Sequence, residues 1–207
     1  MTLTELEQQA RSAPKPSALS DTAANLVFGE GNPDADLVII GEAPGEDEDR
    51  QGRPFVGRAG QLLDRILESA RIEREDIYIT NILKYRPPNN RNPKPEEIVA
   101  SEPLLLEQLK LIRPQVIGTL GNFPTQYFAG TKDGITKTRG KWFDWHGVRV
   151  FPMFHPAYLL RNPSREKNSP KWLMWQDVRD LKAALDALGP KAKNTLAIDS
   201  AQQDGLF

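Results

Sequence analysis

Three short apolar runs, each breaking off at a glycine or an asparagine, constrain this chain more than any other feature. They are "DADLVIIGEAPG", "DIYITNILK" and "PQVIGTLG". A short apolar run closed by such a residue reads as a buried strand that delivers a loop. Helical patterns alternate with them. "GQLLDRILESA" puts Leu62, Leu63, Ile66, Leu67 and Ala70 on one helical face. "PKPEEIVASEPLLLEQLKLIR" is helical with Pro95 in its first turn, while Pro103 is expected to kink or split it. "GKWFDWHGVRVFPMFHPAYLL" predicts a hairpin turning near His146-Gly147. Ser169-Pro170 opens a last helix carrying Met174, Val178, Leu181, Leu185 and Leu188, which Gly189 is expected to stop. Strands alternating with helices predict an α/β fold, a mostly parallel sheet with helices on both faces.

At 207 residues the chain fits one domain, read as 1–189, followed by a polar, flexible tail, 190–207. A hydrophobic content of 39% against 27% charged residues supplies a core and argues against disorder throughout. The formal charge of −1 excludes indiscriminate attraction to nucleic acid or membrane, so any DNA binding must come from local patches. The cysteine count is zero, which removes disulfides, thiolate-held zinc or iron, and thiol nucleophiles. No signal peptide or membrane anchor is visible at the N-terminus, and a cytoplasmic monomer is the expectation.

In parallel α/β sheets ligands collect at the carboxyl ends of the strands. "GEAPGEDED", "TN" and "HPAYLLRNP" all fall there. Glu42, directly after the first strand, could orient a water or stabilise a developing cation. The acids Glu46 to Asp49 taken alone read as a solvated loop, and Phe55 reads either as core or as a stacking platform. Asn81, at the end of the second strand, either satisfies local backbone or presents a donor and an acceptor to a base edge. His155 could donate to an oxygen gaining negative charge. There is no nucleophilic triad and no HxxxH or HExxH metal signature. Basic residues gather in Lys84–Lys94, "TKTRGKW" and "RNPSREKNSPK". Each is what a solvated loop looks like; together along one rim they would track phosphates.

Taken together, "VFGEGNPDADLVIIGEAPGEDEDRQGRPFVGRAGQLLD", "YITNILKYRPPNNRNPKPEEI", "TLGNF", "RGKW" and "HPAYLLRNP" resemble the family 4 uracil-DNA glycosylases, from about Val27 to about Leu181. The resemblance implies a three-layer α/β/α fold around a four-stranded mainly parallel sheet, and excision of uracil from DNA by cleavage of its N-glycosidic bond. It implies that Phe55 stacks on the flipped base, Asn81 reads the O4/N3 edge and Glu48 crowds C5 against thymine. His155 would hydrogen-bond O2, helped by backbone N–H groups near Glu42-Ala43, and Glu42 would position water or counter the sugar's positive charge. Tyr158, Leu159, Leu160 and Arg161 resemble the wedge entering the gap left by the base. Arg86 and Arg91 are expected to face DNA. No lysine in the matched motifs stands as an obvious Schiff-base nucleophile, so a monofunctional enzyme is expected.

Members of that family commonly carry a four-iron, four-sulfur cluster on four cysteines. Alignment puts Pro14, Ser17, Tyr85 and Ser101 at those positions, so no cofactor and no metal are expected. Tyr85 is expected to pack, with neighbours including Leu19, into the vacated volume. The terminal "QQDGLF" resembles the peptide by which bacterial repair proteins dock on the DNA sliding clamp, through Gln203, Leu206 and Phe207; an unconstrained terminus is the alternative. Two other functions stay open: a same-fold glycosylase with another base preference, and a non-catalytic module binding uracil-containing or single-stranded DNA.

Overall fold

The computed structural model describes residues 1–17 and 25–191. Leu19, Gln203, Leu206 and Phe207 lie outside the described residues. The sheet is built from β1 (Glu30–Gly31), β2 (Leu37–Gly41), β3 (Tyr78–Asn81), β4 (Val116–Leu120), β5 (Phe143–Trp145) and β6 (Val148–Met153), in the order β1-β3-β2-β4-β6-β5. The central four, β3-β2-β4-β6, are all parallel. They are the four strands the resemblance implies. Strands β1 and β5 add antiparallel edges. With two residues, β1 is too short to leave a periodic signature. The β5–β6 hairpin turns where predicted, with positive φ at both His146 (50°) and Gly147 (83°), as a tight two-residue turn demands.

Period-two alternation splits the core between the two faces of the sheet. Val38, Ile40, Tyr78, Ile117 and Val150 face one side. There they meet α4 (Pro95–Ile112) and α5 (Asn122–Ala129), with α1 (Leu3–Ser12) packed on α4. Leu37, Ile39, Ile79, Val116, Phe151 and Met153 face the other. That side is covered by α3 (Arg58–Ser69) and α8 (Pro170–Asp186), with α7 (Pro156–Arg161) against α3. Every residue of β2 and β4 is buried, as strands covered on both faces must be. Two short helices, α2 (Glu46–Gln51) and α6 (Ile135–Thr138), sit in the loops after β2 and before β5.

Two expectations are corrected. Pro103 does not divide α4, which runs unbroken from Pro95 to Ile112. Its apolar residues Ile98, Leu105, Leu106, Leu109 and Ile112 are buried, and that burial outweighs the one backbone bond a proline forfeits. Helix α8 ends at Asp186, before Gly189, and ordered structure continues past it. Lys191 Nζ donates to the carbonyls of Asp34 (2.5 Å), Ala35 (2.9 Å) and Ile112 (3.3 Å). Lys191 thus ties the chain to the sheet pole where β2 begins. Among the described residues, no helix is long and apolar enough to cross a membrane.

Candidate active site

From neighbouring strands, the connection after β2 runs to β3 on one side and the chain after β4 runs on to β6 on the other, so they leave the two carboxyl ends in opposite directions. A crevice opens at such a switch point. A cavity of about 690 Å³ lies there, lined by Glu42 after β2, Asn81 at the end of β3, Gly121 after β4 and His155 after β6. Ala43, Glu48 and Phe55 line it too. Residues separated by more than a hundred positions are thus brought together by parallel strands that all end at the same pole.

Glycines make this convergence possible. A Cβ on Gly41 would lie 2.4 Å from Asn81 Oδ1 and 2.5 Å from Phe55 Cζ. Only a residue without a side chain lets both groups cross the end of β2. Phe55 adopts a left-handed backbone (φ 51°), and a Cβ on Gly60 would strike its carbonyl oxygen at 1.9 Å. The turn is tied down by Glu48 and Arg74. Glu48 Oε1 accepts from Val56 N (2.9 Å) and Gly57 N (2.7 Å), and Oε2 accepts from Gly45 N (3.2 Å). Arg74 donates to the carbonyls of Pro54 (2.8 Å) and Phe55 (3.4 Å) and pairs with Glu30 and Asp64. So Glu48, read from sequence as a contact to the base, also builds the platform on which Phe55 sits. Arg74 gave no such sign; a lone arginine before a strand carries no motif.

His155 caps α7. Its Nδ1 accepts a hydrogen bond from Ala157 N (3.1 Å). Burial, aided by the Arg161 charge, lowers its pKa to about 4. The imidazole is therefore neutral near pH 7, and with Nδ1 accepting, the proton resides on Nε2. Phe55 lies beside it, ring centroids 5.9 Å apart. Glu42 is shifted the other way: burial raises its carboxyl to about 7. Asn81 is 2% exposed, and its Oδ1 has no hydrogen-bond partner. A buried acceptor left unpaired is rare, and this one belongs to a residue lining the cavity.

The rim differs from its sequence reading. Arg91, Tyr158 and Arg161 line the cavity, whereas Arg86, Leu159 and Leu160 do not. Leu159 is 1% exposed and packs in the α3–α8 core, so it is not free to enter DNA as read from sequence. Arg91 grips the buried Glu97 with two bonds (2.8 and 2.5 Å), which hold that carboxyl below its usual range. Arg86 bonds Asn90 (2.7 Å) and Glu46 (3.3 Å). Arg139 of "TKTRGKW" is likewise spent on buried Asp177 of α8. This clasp and Asn122, whose Oδ1 accepts from Ile135 N (2.8 Å), hold the wall carrying Ile135 and Thr136. A run of basic residues does not reveal which members meet an acid from elsewhere in the chain.

At the positions where relatives hold the cluster, the side chains do not fit one. Pro14 and Ser17 are exposed; Tyr85 (6% exposed) and Ser101 (4%) are buried, and none offers a thiolate. Tyr85 packs in the α1–α4 core, with Lys15 Nζ 5.8 Å from its ring centroid. Among the described residues no group of His, Asp and Glu could hold a metal ion.

A family model described as the uracil DNA glycosylase superfamily matches residues 28–179. A type-4 uracil-DNA glycosylase of Thermotoga maritima is 54% identical over 144 residues, covering 69% of this chain and 75% of that protein. One from Saccharolobus solfataricus is 45% identical over 172 residues, 79% of this chain and 77% of the relative. A DNA polymerase of Bacillus phage SP01 is 34% identical over 173 residues, 82% of this chain but 18% of the polymerase. With these matches spanning the strands, the glycine turns and the cavity residues alike, the chain belongs to the uracil-DNA glycosylase superfamily and, within it, to the type-4 family.

Proposed function

We propose that this protein excises uracil from DNA by hydrolysing its N-glycosidic bond, as a monofunctional base-excision-repair enzyme. One observation carries the reading. Asn81, whose buried Oδ1 has no hydrogen-bond partner, lines the same cavity as a neutral His155 whose Nε2 bears the proton. Uracil presents an N3–H donor to such an acceptor, and its O4 matches the amide's N–H; cytosine reverses both. The base must leave the duplex stack to reach the cavity. Phe55 would carry its face, and Glu48, held by three backbone N–H groups, would leave no room for a methyl at C5.

As the C1′–N1 bond breaks, the electron pair departs with uracil, and charge gathers on O2. His155 Nε2–H and a backbone N–H near Ala43 donate to it. Fixed donors of this kind cost no reorganisation during the reaction. Water adds its oxygen to C1′ and passes a proton to the Glu42 carboxylate, which also opposes the sugar's positive charge. Tyr158 and Arg161 meet the DNA at the rim. Arg86 and Arg91 would act mainly by holding the loop after β3, given the acids they already grip.

Catalysis in this reading needs no iron–sulfur cluster, since the chain has no cysteine and Tyr85 is packed at a ligand position. Metal analysis of purified protein tests this, and stoichiometric iron and sulfide would refute it. Docking of "QQDGLF" on a sliding clamp is supported by the sequence alone, through Gln203, Leu206 and Phe207. Loss of clamp affinity on deleting Leu206-Phe207 is the expected result. The activity itself is tested with labelled DNA bearing a single uracil, followed by alkali. Alkali-labile sites are expected for uracil and not for cytosine, thymine or hypoxanthine. Binding without such sites would instead mark a non-catalytic DNA-binding module.

A further inference from the structure

Lys84 is 1% exposed, lies three residues beyond the strand that delivers Asn81, and has no part in the reaction just described. Its Nζ donates to Thr80 Oγ1 (2.6 Å), to the backbone carbonyl of Asn81 (2.9 Å) and to that of Phe28 (3.5 Å). Three N–H donors meet three acceptors, and none of these partners is a carboxylate. Burial without a neutralising acid drives its pKa well below the ordinary lysine value. Such an arrangement is costly unless every donor is used, and an aliphatic side chain would fill the space without that cost.

Its partners explain the placement. Thr80 Oγ1 donates onward to Phe28 O (2.9 Å), which also accepts from Gln108 Nε2 of α4 (2.9 Å). Gln108 in turn reaches the Tyr78 hydroxyl (3.2 Å). The backbone continues the brace: Ile82 N and Leu83 N donate to the carbonyls of Gly41 (2.9 Å) and Glu42 (3.0 Å), and Val27 N donates to Lys84 O (2.8 Å). The peptide on one side of Asn81 is thus clamped by Lys84, while its side chain, with a buried and unpaired Oδ1, belongs to the cavity wall. Lys84 is absent from the cavity wall, so it is neither a nucleophile nor a base contact.

We propose that Lys84 is a positioning residue that holds the amide of Asn81 in register with the flipped base, through Thr80 and the Asn81 carbonyl. This rests on the reading of Asn81 given above. The orientation comes from within the β2–β3 end and from α4, independently of the loop at 85–94.

The test is a double-mutant cycle of Lys84→Met and Asn81→Ala, read by single-turnover uracil excision and by inhibition with free uracil, alongside thermal unfolding. Lys84→Met is expected to slow excision about ten- to hundredfold. It should weaken uracil inhibition in parallel, with the unfolding midpoint at or above that of the wild type. In the Asn81→Ala background the same substitution should cost less than about threefold, because residues acting as one unit are not additive. Losses that multiply, or undiminished excision by Lys84→Met, would overturn the proposal. Undiminished excision by Asn81→Ala would remove instead the base-reading role of Asn81. Should Lys84→Met fail to fold, Thr80→Val serves the same cycle, and full-speed excision by that variant would overturn the proposal as well.

Discussion

At the scale of single residues, burial divides the labour between two titratable groups. Glu42 rises to about 7 and His155 falls to about 4, each mainly through desolvation. The proposed mechanism needs Glu42 charged and His155 neutral, so activity should climb as pH rises through about 7. A Glu42→Gln variant should be slow and lack that climb in a pH–rate profile. Stability runs the opposite way. A carboxyl with a raised folded pKa favours the folded state most below its unfolded pKa, and that advantage is lost as pH rises towards 7. For a shift of this size the loss is roughly 3 kcal/mol. Thermal unfolding should therefore find Glu42→Gln more stable than wild type at pH 8 and no different at pH 4. His155, with its folded pKa depressed, contributes stability above its unfolded value that is lost as pH falls through about 4. Replacing it with alanine removes one donor to the departing base, and kcat should fall about 100- to 1,000-fold in a single-turnover assay.

At the scale of elements, the loop after β3 and the short helix after β6 form the cavity rim by different means. The loop is shaped from within: Arg91 secures buried Glu97 near the start of α4, and Lys94 N bonds the same carboxylate (2.8 Å). Breaking this pair from one side strands a buried charge, so Arg91→Met should lower the melting temperature in a thermal unfolding scan. Adding Glu97→Met should recover much of it, because the stranded charge is then gone. Arg161, exposed in the last turn of α7, has no such duty. Arg161→Ala should leave the melting temperature unchanged and reduce the salt dependence of DNA binding by about one phosphate contact. A titration of affinity against salt separates the two arginines, which sequence alone could not.

At the scale of the molecule, three layers bring four strand ends to one pole and the end of α8 to the other. Tyr85 stands where a cluster ligand would be and is part of the core between α1, α4 and the sheet. Tyr85→Ala should destabilise the protein by about 3–5 kcal/mol, as large aromatic deletions do, whereas chelators should leave its unfolding curve unmoved. Calorimetry with and without chelator checks both.

The order of strands and helices, the two-faced core and the cavity's strand-end residues Glu42, Asn81 and His155 were legible in the chain itself. Periodicity reports burial directly, and a glycine or asparagine closing an apolar run marks where a strand yields to a loop. The edge strand β1, the unbroken α4 and the brace around Lys84 were not legible. Two residues make no pattern, and the cost of Pro103 is set by what α4 buries. The partners of a buried lysine come from Phe28, Thr80 and Asn81, which only folding assembles. The same holds for the arginines: sequence shows their charge, but whether that charge faces solvent or an acid depends on long-range contact. Sequence by itself thus determined the layers, the pole at which the cavity lies and the absence of any thiolate. Only the tertiary structure decided which polar groups were already paired and which, like Asn81 Oδ1, were left unpaired, because pairing is a property of position in space.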